Sequence, residues 1–228
     1  MLSAIILAAG VGSRLKISVP KPLVKICTKP VIIYSLEAFS RHPDIDEIII
    51  VVSAQNKNAI VKAIKKHSFR KIKAFCLGGE RRQDSVSKGL SAISQKSNWV
   101  LIHDSARPFI SAKLITKVIR AAKNTGAAIL GVPVKATIKS VKNDFLVDKT
   151  ADRGKLWEIQ TPQVFKKELI FAAYHKYLKE SFTDDAALVE KLGKRVKMVQ
   201  GSYENIKITT KEDLLLAGLI AKRGADAI

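Results

Sequence analysis

Cysteine is almost missing: Cys27 and Cys76 are the only two in 228 residues. That excludes a disulfide scaffold, and their wide separation matches no zinc-ligand spacing. Both read as reduced thiols of a cytosol-like, cytoplasmic compartment. No apolar run reaches the roughly 18 residues that a membrane helix needs. The apolar start, Met1 to Gly12, passes through Ala8-Ala9-Gly10 and so imitates a secretory leader, but it lacks the basic opening a leader carries. It reads instead as a first strand running into a glycine turn. Aromatics make up only 6%. No basic run is interleaved with them and there is no arginine-rich tail, so the sequence offers no nucleic-acid stripe. No internal repeat or low-complexity segment is visible.

Acidic residues are scarce as well, 20 against 40 Lys+Arg, for a formal net charge of +20. Such a charge suits an anionic partner: nucleic acid, a membrane surface or a phosphorylated small molecule. The lysines are spread over the whole chain, with only short clusters such as Lys65-Lys66 and Arg70-Lys71. That spread reads as solvated helix faces, and charge alone does not decide the function. What is plentiful is apolar: 47% of residues, enough to bury a full core. This excludes disorder as the main state and fits one domain over 1–228.

Strand-like runs alternate with helical patterns. Residues 3–8 read as a buried strand, 31–41 as a helix with Ile32, Leu36 and Phe39 on one face, and 47–52 (EIIIVV) as a strand buried on both faces. Helices are expected over 55–66, 84–94 and 111–124, the last capped by Ser111 and stopped by Gly126; strands are expected over 72–76, 98–103 and 127–132. This order implies an α/β fold, Rossmann-like and doubly wound, with a mostly parallel sheet. The alternation breaks at 136–150, two short strands around the turn signal Asn143-Asp144. A hairpin with so little apolar content is marginal alone and must pack on the body or on a second subunit. Helices are expected at 166–178 and from Thr183 to Gly193, strands at 195–199 and 205–209, and a final helix from Thr210 with Asp213 completing a capping box.

Three loops carry the chemistry. Ala8-Ala9-Gly10-Val11-Gly12-Ser13-Arg14, followed by Pro20-Lys21-Pro22, leaves a strand. Its glycines let backbone N–H groups approach a phosphate chain, and Arg14 and Lys21 add fixed positive charge. No Gly-Lys-Ser/Thr follows, so this is not a P-loop, and the dinucleotide spacing fails at Ile17. His103-Asp104-Ser105-Ala106-Arg107 places Asp104 at the carboxyl end of a strand, the edge where open α/β sheets bind ligands. A carboxylate there can hold Mg²⁺ beside phosphates, and Arg107 can grip a second anion. His103 reads as a packing or hydrogen-bonding residue. Gly78-Gly79-Glu80-Arg81-Arg82-Gln83-Asp84-Ser85 opens a helix where Ser85 can cap or meet a ligand. No Ser/His/Asp order or Cys/His pair supplies a nucleophile.

In this order and spacing LAAGVGSR, PKPL, GGERRQDSV, VLIHDSARPF, GAAILGVPV, DRGKLWEIQTPQ, FTDDAALVE and NIKITTKEDL resemble the 2-C-methyl-D-erythritol 4-phosphate cytidylyltransferase family, from Ala4 to about Leu219. The resemblance implies a nucleotidyltransferase fold, a homodimer and dependence on Mg²⁺ or another divalent cation. It implies transfer of a cytidylyl group from CTP to 2-C-methyl-D-erythritol 4-phosphate, a polyol phosphate, with release of pyrophosphate in the non-mevalonate isoprenoid route; the missing basic stripe and membrane-length apolar run leave no nucleic-acid or membrane partner expected. Carried over residue by residue, it gives Arg14, Lys21, Arg153 and Lys207 catalytic roles. Ala8, Ala9, Gly10, Gly12, Gly79, Glu80, Ser85 and Ser105 join Arg14 and Lys21 around CTP. Asp104 and Lys207 stand near metal, nucleotide and acceptor. Arg107, Thr137, Arg153, Thr161 and Thr183 surround the acceptor. The arm at about 136–155 would cross to a second subunit, where Thr137 and Arg153 act in trans.

The sequence departs from the family at four places. Pro22 stands for the usual Gln, Ser105 for Ala, Ala136 for the Asp before Thr137, and Lys88 for Asn. Ala136 removes one arm contact, which keeps ribitol 5-phosphate in play as an alternative acceptor.

Overall fold

The computed structural model describes residues 1–10, 15 and 19–226. Strand β1 (Leu2–Ala8) is followed by a 3₁₀ turn at Lys21–Leu23, the short strands β2 (Lys25–Ile26) and β3 (Lys29–Pro30), helix α1 (Val31–Arg41) and β4 (Glu47–Val52). Then come α2 (Lys57–Lys65), β5 (Ile72–Leu77), α3 (Arg82–Ala92), β6 (Trp99–Asp104), α4 (Ala112–Thr125) and β7 (Ala127–Pro133). The arm hairpin is β8 (Lys139–Val141) and β9 (Val147–Thr150). The chain returns through β10 (Trp157–Lys166), α5 (Lys167–Tyr177), α6 (Asp185–Lys191), β11 (Lys197–Gln200) and α7 (Lys211–Asp226).

Among the described residues one sheet has the order β11-β7-β10-β6-β1-β4-β5. All its neighbours are parallel except β10, which runs antiparallel to both β6 and β7. Side chains alternate across a strand, so Ile6 and Ile50 face α1, α2 and α4, while Ile5 and Ile49 face α3, α5 and α6. Each such isoleucine, buried to within 1%, stabilises the fold by roughly 1.5–3 kcal/mol. Gly89 lets α3 lie close: a Cβ there would stand 2.6 Å from Ile5 Cγ2. A smaller apolar cluster of Leu15, Val24, Ile26, Val31, Ile208 and Ala217 seats α7.

The doubly wound, mostly parallel architecture stands as expected, with four differences. Strand β10 was not foreseen. Its polar Gln160, Thr161 and Gln163 are buried, and its Pro162 sits at a register shift between Gln160 and Gln163, so the run breaks both the apolar and the proline-free pattern of an interior strand. The expected strand at 205–209 is not one. It is an extended segment docked by Ile208 N–H to Ala106 O at 2.9 Å and by Asn205 Nδ2 to Thr161 O at 3.0 Å. Helix α6 starts at Asp185, not Thr183, because the Asp184 carboxylate caps it by accepting from Ala187 N–H at 3.1 Å. Ser85 does not cap α3: the Asp84 carboxylate accepts from Arg81 N–H at 3.0 Å, outside the first turn. The other caps hold. Ser111 Oγ accepts from Leu114 N–H, Gly126 takes φ 87° beyond α4, and Asp213 accepts from Thr210 N–H.

Candidate active site

The carboxyl ends of β1 and β6 open on two adjoining cavities. The first, about 260 Å³, is lined by the backbone run Ala8-Ala9-Gly10, by Lys21 and Pro22, by the Gly79–Arg82 turn and Ser85, and by Asp104, Ser105, Ala106 and Lys207. The second, about 450 Å³, lies against β10 and α6 and is lined in part by Arg107, Thr161, Gln163, Thr183, Asp184, Ile129, Ile159 and Met198. Arg82, Asp104 and Lys207 belong to both. The expected CTP residues Ala8, Ala9, Gly10, Lys21, Gly79, Glu80, Ser85, Asp104 and Ser105 therefore gather in one cavity. The expected acceptor residues Arg107, Thr161, Thr183, Asp104 and Lys207 gather in the next. Gly12 and Arg14 lie outside the described residues.

Thr137 and Arg153 line neither cavity. Both are exposed on the arm, where Arg153 Nη1 donates to Lys135 O at 3.0 Å. Every residue of β9 is exposed, and Phe145 at the hairpin tip is 89% exposed.

Asp104 ends β6 and is 7% exposed. Its Oδ1 accepts from Arg82 Nε at 3.0 Å and its Oδ2 from Lys207 Nζ at 2.6 Å. Burial alone would raise its pKa, but Arg82 and Lys207 outweigh it and hold the carboxyl well below the ordinary carboxylate range. The backbone around it is fixed by Thr161, whose hydroxyl accepts from Asp104 N–H at 3.0 Å. Thr161 Oγ1 lies 3.1 Å from His103 Nδ1, and His103 Nε2 lies 3.1 Å from Arg107 O. The carbonyl can only accept, so the ring carries its proton on Nε2 and takes the Thr161 hydroxyl on Nδ1. Burial pushes the His103 pKa down to about 3. It is a neutral strut, and its hydrogen bonds to Thr161 and Arg107 fit the packing or hydrogen-bonding role expected of it.

Arg107 is a tie as much as a ligand. Its Nη1 donates to Asn205 O at 2.8 Å and its Nη2 to Ile159 O at 3.0 Å, and Nε has no partner among the described residues. The sequence reading missed Arg82. It opens α3, lines both cavities and bridges Asp104 to Asp185 Oδ2, the latter at 2.9 Å. Its signal was the pair Arg81-Arg82 at a glycine-opened helix start; only the fold shows that Arg81 turns away to pair with Asp84 at 2.6 Å.

Among the described residues no group of three or more His, Cys, Asp or Glu gathers to hold a metal. One ionised carboxylate shared by two adjoining cavities still fits a hard divalent cation. Mg²⁺ keeps its waters and commonly takes one or two protein carboxylates plus substrate phosphates. Asp104 and Glu80 are the carboxylates that line the first cavity among the described residues.

A parallel-sheet edge with a glycine turn, basic side chains and a buried carboxylate is an arrangement suited to nucleotidyl transfer, and similarity to known proteins places the chain among nucleotidyltransferases. The family model for 2-C-methyl-D-erythritol 4-phosphate cytidylyltransferase matches residues 2–223. The chain belongs to that family. It is 44% identical over 223 residues to the 2-C-methyl-D-erythritol 4-phosphate cytidylyltransferase of Dehalococcoides mccartyi, covering 98% of this chain and 97% of that one. It is 46% identical over 214 residues to the protein of that name from Syntrophotalea carbinolica, covering 92% and 91%. Among solved structures, 4-diphosphocytidyl-2C-methyl-D-erythritol synthase from Anaerococcus prevotii superposes with a TM-score of 0.85 at 38% identity, covering 97% of this chain and 96% of that one. No helix among the described residues is long and apolar enough to cross a membrane.

Proposed function

We infer that the chain transfers the cytidylyl group of CTP to 2-C-methyl-D-erythritol 4-phosphate, giving 4-diphosphocytidyl-2-C-methyl-D-erythritol and pyrophosphate in isoprenoid precursor biosynthesis. The observation that carries this reading is the junction: two cavities that share Arg82, Asp104 and Lys207, in a chain matched by the family over residues 2–223. In the reaction an oxygen of the acceptor phosphate attacks the α-phosphorus of CTP. That P–O bond forms while the bond from the α-phosphorus to the bridging oxygen breaks, and pyrophosphate leaves with the electron pair. The acceptor phosphate is already ionised at neutral pH, so the protein needs no strong general base.

The difficulty is electrostatic: two anions must approach and negative charge accumulates on phosphorus. Positioned cations meet that need. Lys21, with Arg14 as the family implies, serves the triphosphate in the first cavity. Lys207 at the junction reaches toward both reactants. Thr183 and Arg107 orient the acceptor in the second, and Thr161, its hydroxyl shared between Asp104 N–H and His103 Nδ1, fixes the wall of that cavity. Mg²⁺ or another divalent cation, held by Asp104 and the triphosphate, would screen the phosphate charges. The test is pyrophosphate release from CTP and Mg²⁺ with a panel of polyol phosphates. Release with 2-C-methyl-D-erythritol 4-phosphate far above the rest is expected, and a preference for ribitol 5-phosphate would overturn the choice of acceptor.

We further propose that the single domain 1–228 pairs through its arm, about residues 136–155, with a second copy of the chain. An exposed hairpin carrying Phe145, Leu146 at 64% and Val147 at 57% exposure is an apolar surface that an isolated monomer has little reason to keep. Thr137 and Arg153 lie on that arm, away from their own chain's cavities, and pairing would deliver them to the partner's acceptor cavity. Phe145→Asp combined with Leu146→Asp is expected to convert a dimer into a monomer in sedimentation velocity and to lower turnover with it. A parent protein that sediments as a monomer, or a variant that remains a fully active dimer, would refute the pairing.

A further inference from the structure

We propose that Arg82 is a positioning residue: anchored from behind by Asp185 and Tyr174, it holds the Asp104 carboxylate where the two cavities meet instead of moving onto the substrate phosphates.

Three elements converge on this side chain. It leaves the first residue of α3, reaches the end of β6 through Nε to Asp104 Oδ1 at 3.0 Å, and reaches the start of α6 through Nη2 to Asp185 Oδ2 at 2.9 Å. Asp185 is fully buried. Its second oxygen, Oδ1, accepts from the Tyr174 hydroxyl of α5 at 2.6 Å. Both carboxylate oxygens of Asp185 are thereby committed, one to Arg82 and one to the phenol. A guanidinium offers its N–H groups in a rigid plane, so two carboxylates held by two of its nitrogens fix its orientation as well as its place.

The two cations on Asp104 are therefore unequal. Lys207 sits on the irregular segment before α7, its side chain 38% exposed, and pairs with Asp104 alone among the described residues. Arg82 has a second, buried carboxylate that solvent does not screen. Incoming phosphates compete with Asp104 for both cations. Lys207 exchanges partners; Arg82 does not, because Asp185 retains it. Asp104 keeps one counter-cation through the cycle, and its Oδ2 becomes available as Lys207 moves to a phosphate. An unanchored arginine here would be drawn to the triphosphate and leave the carboxylate free to rotate.

Arg82→Ala would strand two buried carboxylates and risks not folding, so Arg82→Lys and Asp185→Asn are the useful variants. The first measurement needs no turnover. The Nε–H resonance of Arg82, assigned in a ¹⁵N–¹H spectrum by its loss in Arg82→Lys, is expected to stay protected from water exchange in the parent when CTP and Mg²⁺ are added, and to lose protection in Asp185→Asn. The second measurement rests on the cytidylyl-transfer reading. Arg82→Lys is expected to lower kcat about 10²-fold, the scale of an ångström-sized misplacement, with KM for CTP changed less than about threefold. The double variant Arg82→Lys/Asp185→Asn should be no slower than Arg82→Lys, since the two act as one unit. A resonance that loses protection in the parent on CTP addition, a raised KM at unchanged kcat, or losses that multiply in the double variant would each overturn the assignment. A parent inactive with every acceptor would instead refute the proposed reaction and leave the resonance to decide the role of Arg82.

Discussion

Lys207→Ala is expected to lower kcat by about 10³-fold while changing stability by less than about 1 kcal/mol. The two effects separate because of how the junction is built. Lys207 is 38% exposed at the side chain and shares Asp104 with Arg82, so its loss leaves the buried carboxylate with a counter-cation. The folded state therefore loses one partly solvated pair, of modest worth. Turnover loses the cation best placed between the two cavities, where nucleotide and acceptor phosphates are brought together, and a single well-placed cation is worth on the order of 10³–10⁵ in related phosphoryl transfers. Asp104→Asn should behave in the opposite way. It removes the shared anion, leaves Arg82 and Lys207 facing each other, and is expected to destabilise more than the lysine variant does. Steady-state kinetics with urea unfolding of both variants checks the pair. A Lys207→Ala protein with unchanged kcat and only a raised KM would mean that the lysine binds ground state and transition state equally.

Most of the sheet was legible because its strands obey the rule for burial on both faces: EIIIVV in β4 is apolar throughout and lies in the core. The helix caps Ser111, Gly126 and Asp213 were legible for a different reason, since capping is local chemistry that tertiary packing leaves intact. What escaped was the part of the sheet that serves the site. Strand β10 buries Gln160 and Gln163, and each pays its desolvation with side-chain hydrogen bonds: Gln160 Nε2 to Ser202 O at 2.8 Å and Gln163 Nε2 to Asp184 Oδ2 at 2.8 Å. No periodicity in the sequence announces such partners, because they lie 42 and 21 residues away.

The same logic divides the site. Residues at the ends of β1, β5 and β6, such as Gly10, Gly79 and Asp104, were found because a strand followed by a glycine turn or an acidic residue marks an edge. Arg82 and Asp185 were not singled out. Their roles come from distance across the fold: 103 positions separate them in the chain, yet Nη2 and Oδ2 are 2.9 Å apart. Ile206 and Ile208 alternate in the segment 205–209, a pattern a strand would show. In the fold Ile208 is buried beside α7 while Lys207 points its amine at Asp104, so an alternation that looks like pleating serves to seat one side chain and present the next.

Acidification is expected to destabilise the protein well before its carboxylates titrate, and His103 is the main reason. In the unfolded chain this imidazole takes up a proton below its ordinary value of 6.5; in the fold burial holds it neutral down to about 3. Between those values the unfolded state binds more protons, so stability falls as pH falls, and the loss from this group levels off near the folded value. Across the full window the effect is on the order of 5 kcal/mol, at 1.36 kcal/mol per unit. From pH 7 to pH 5 it is roughly 2 kcal/mol, or about 4–8 °C in Tm for a chain of this size. His42, also lowered by burial and held by Thr116 Oγ1 at 2.9 Å, acts in the same direction. Asp104 acts later: its lowered pKa keeps its contribution intact until pH falls below the ordinary carboxylate range. Thermal unfolding of His103→Gln isolates the largest part. The amide can still donate to Arg107 O and accept from Thr161, so the variant should fold at a modest cost at pH 7 and show a visibly flatter loss of Tm between pH 7 and 5. If parent and variant lose Tm in parallel over that range, His103 is already charged in the fold and the neutral strut between Thr161 and Arg107 is wrong.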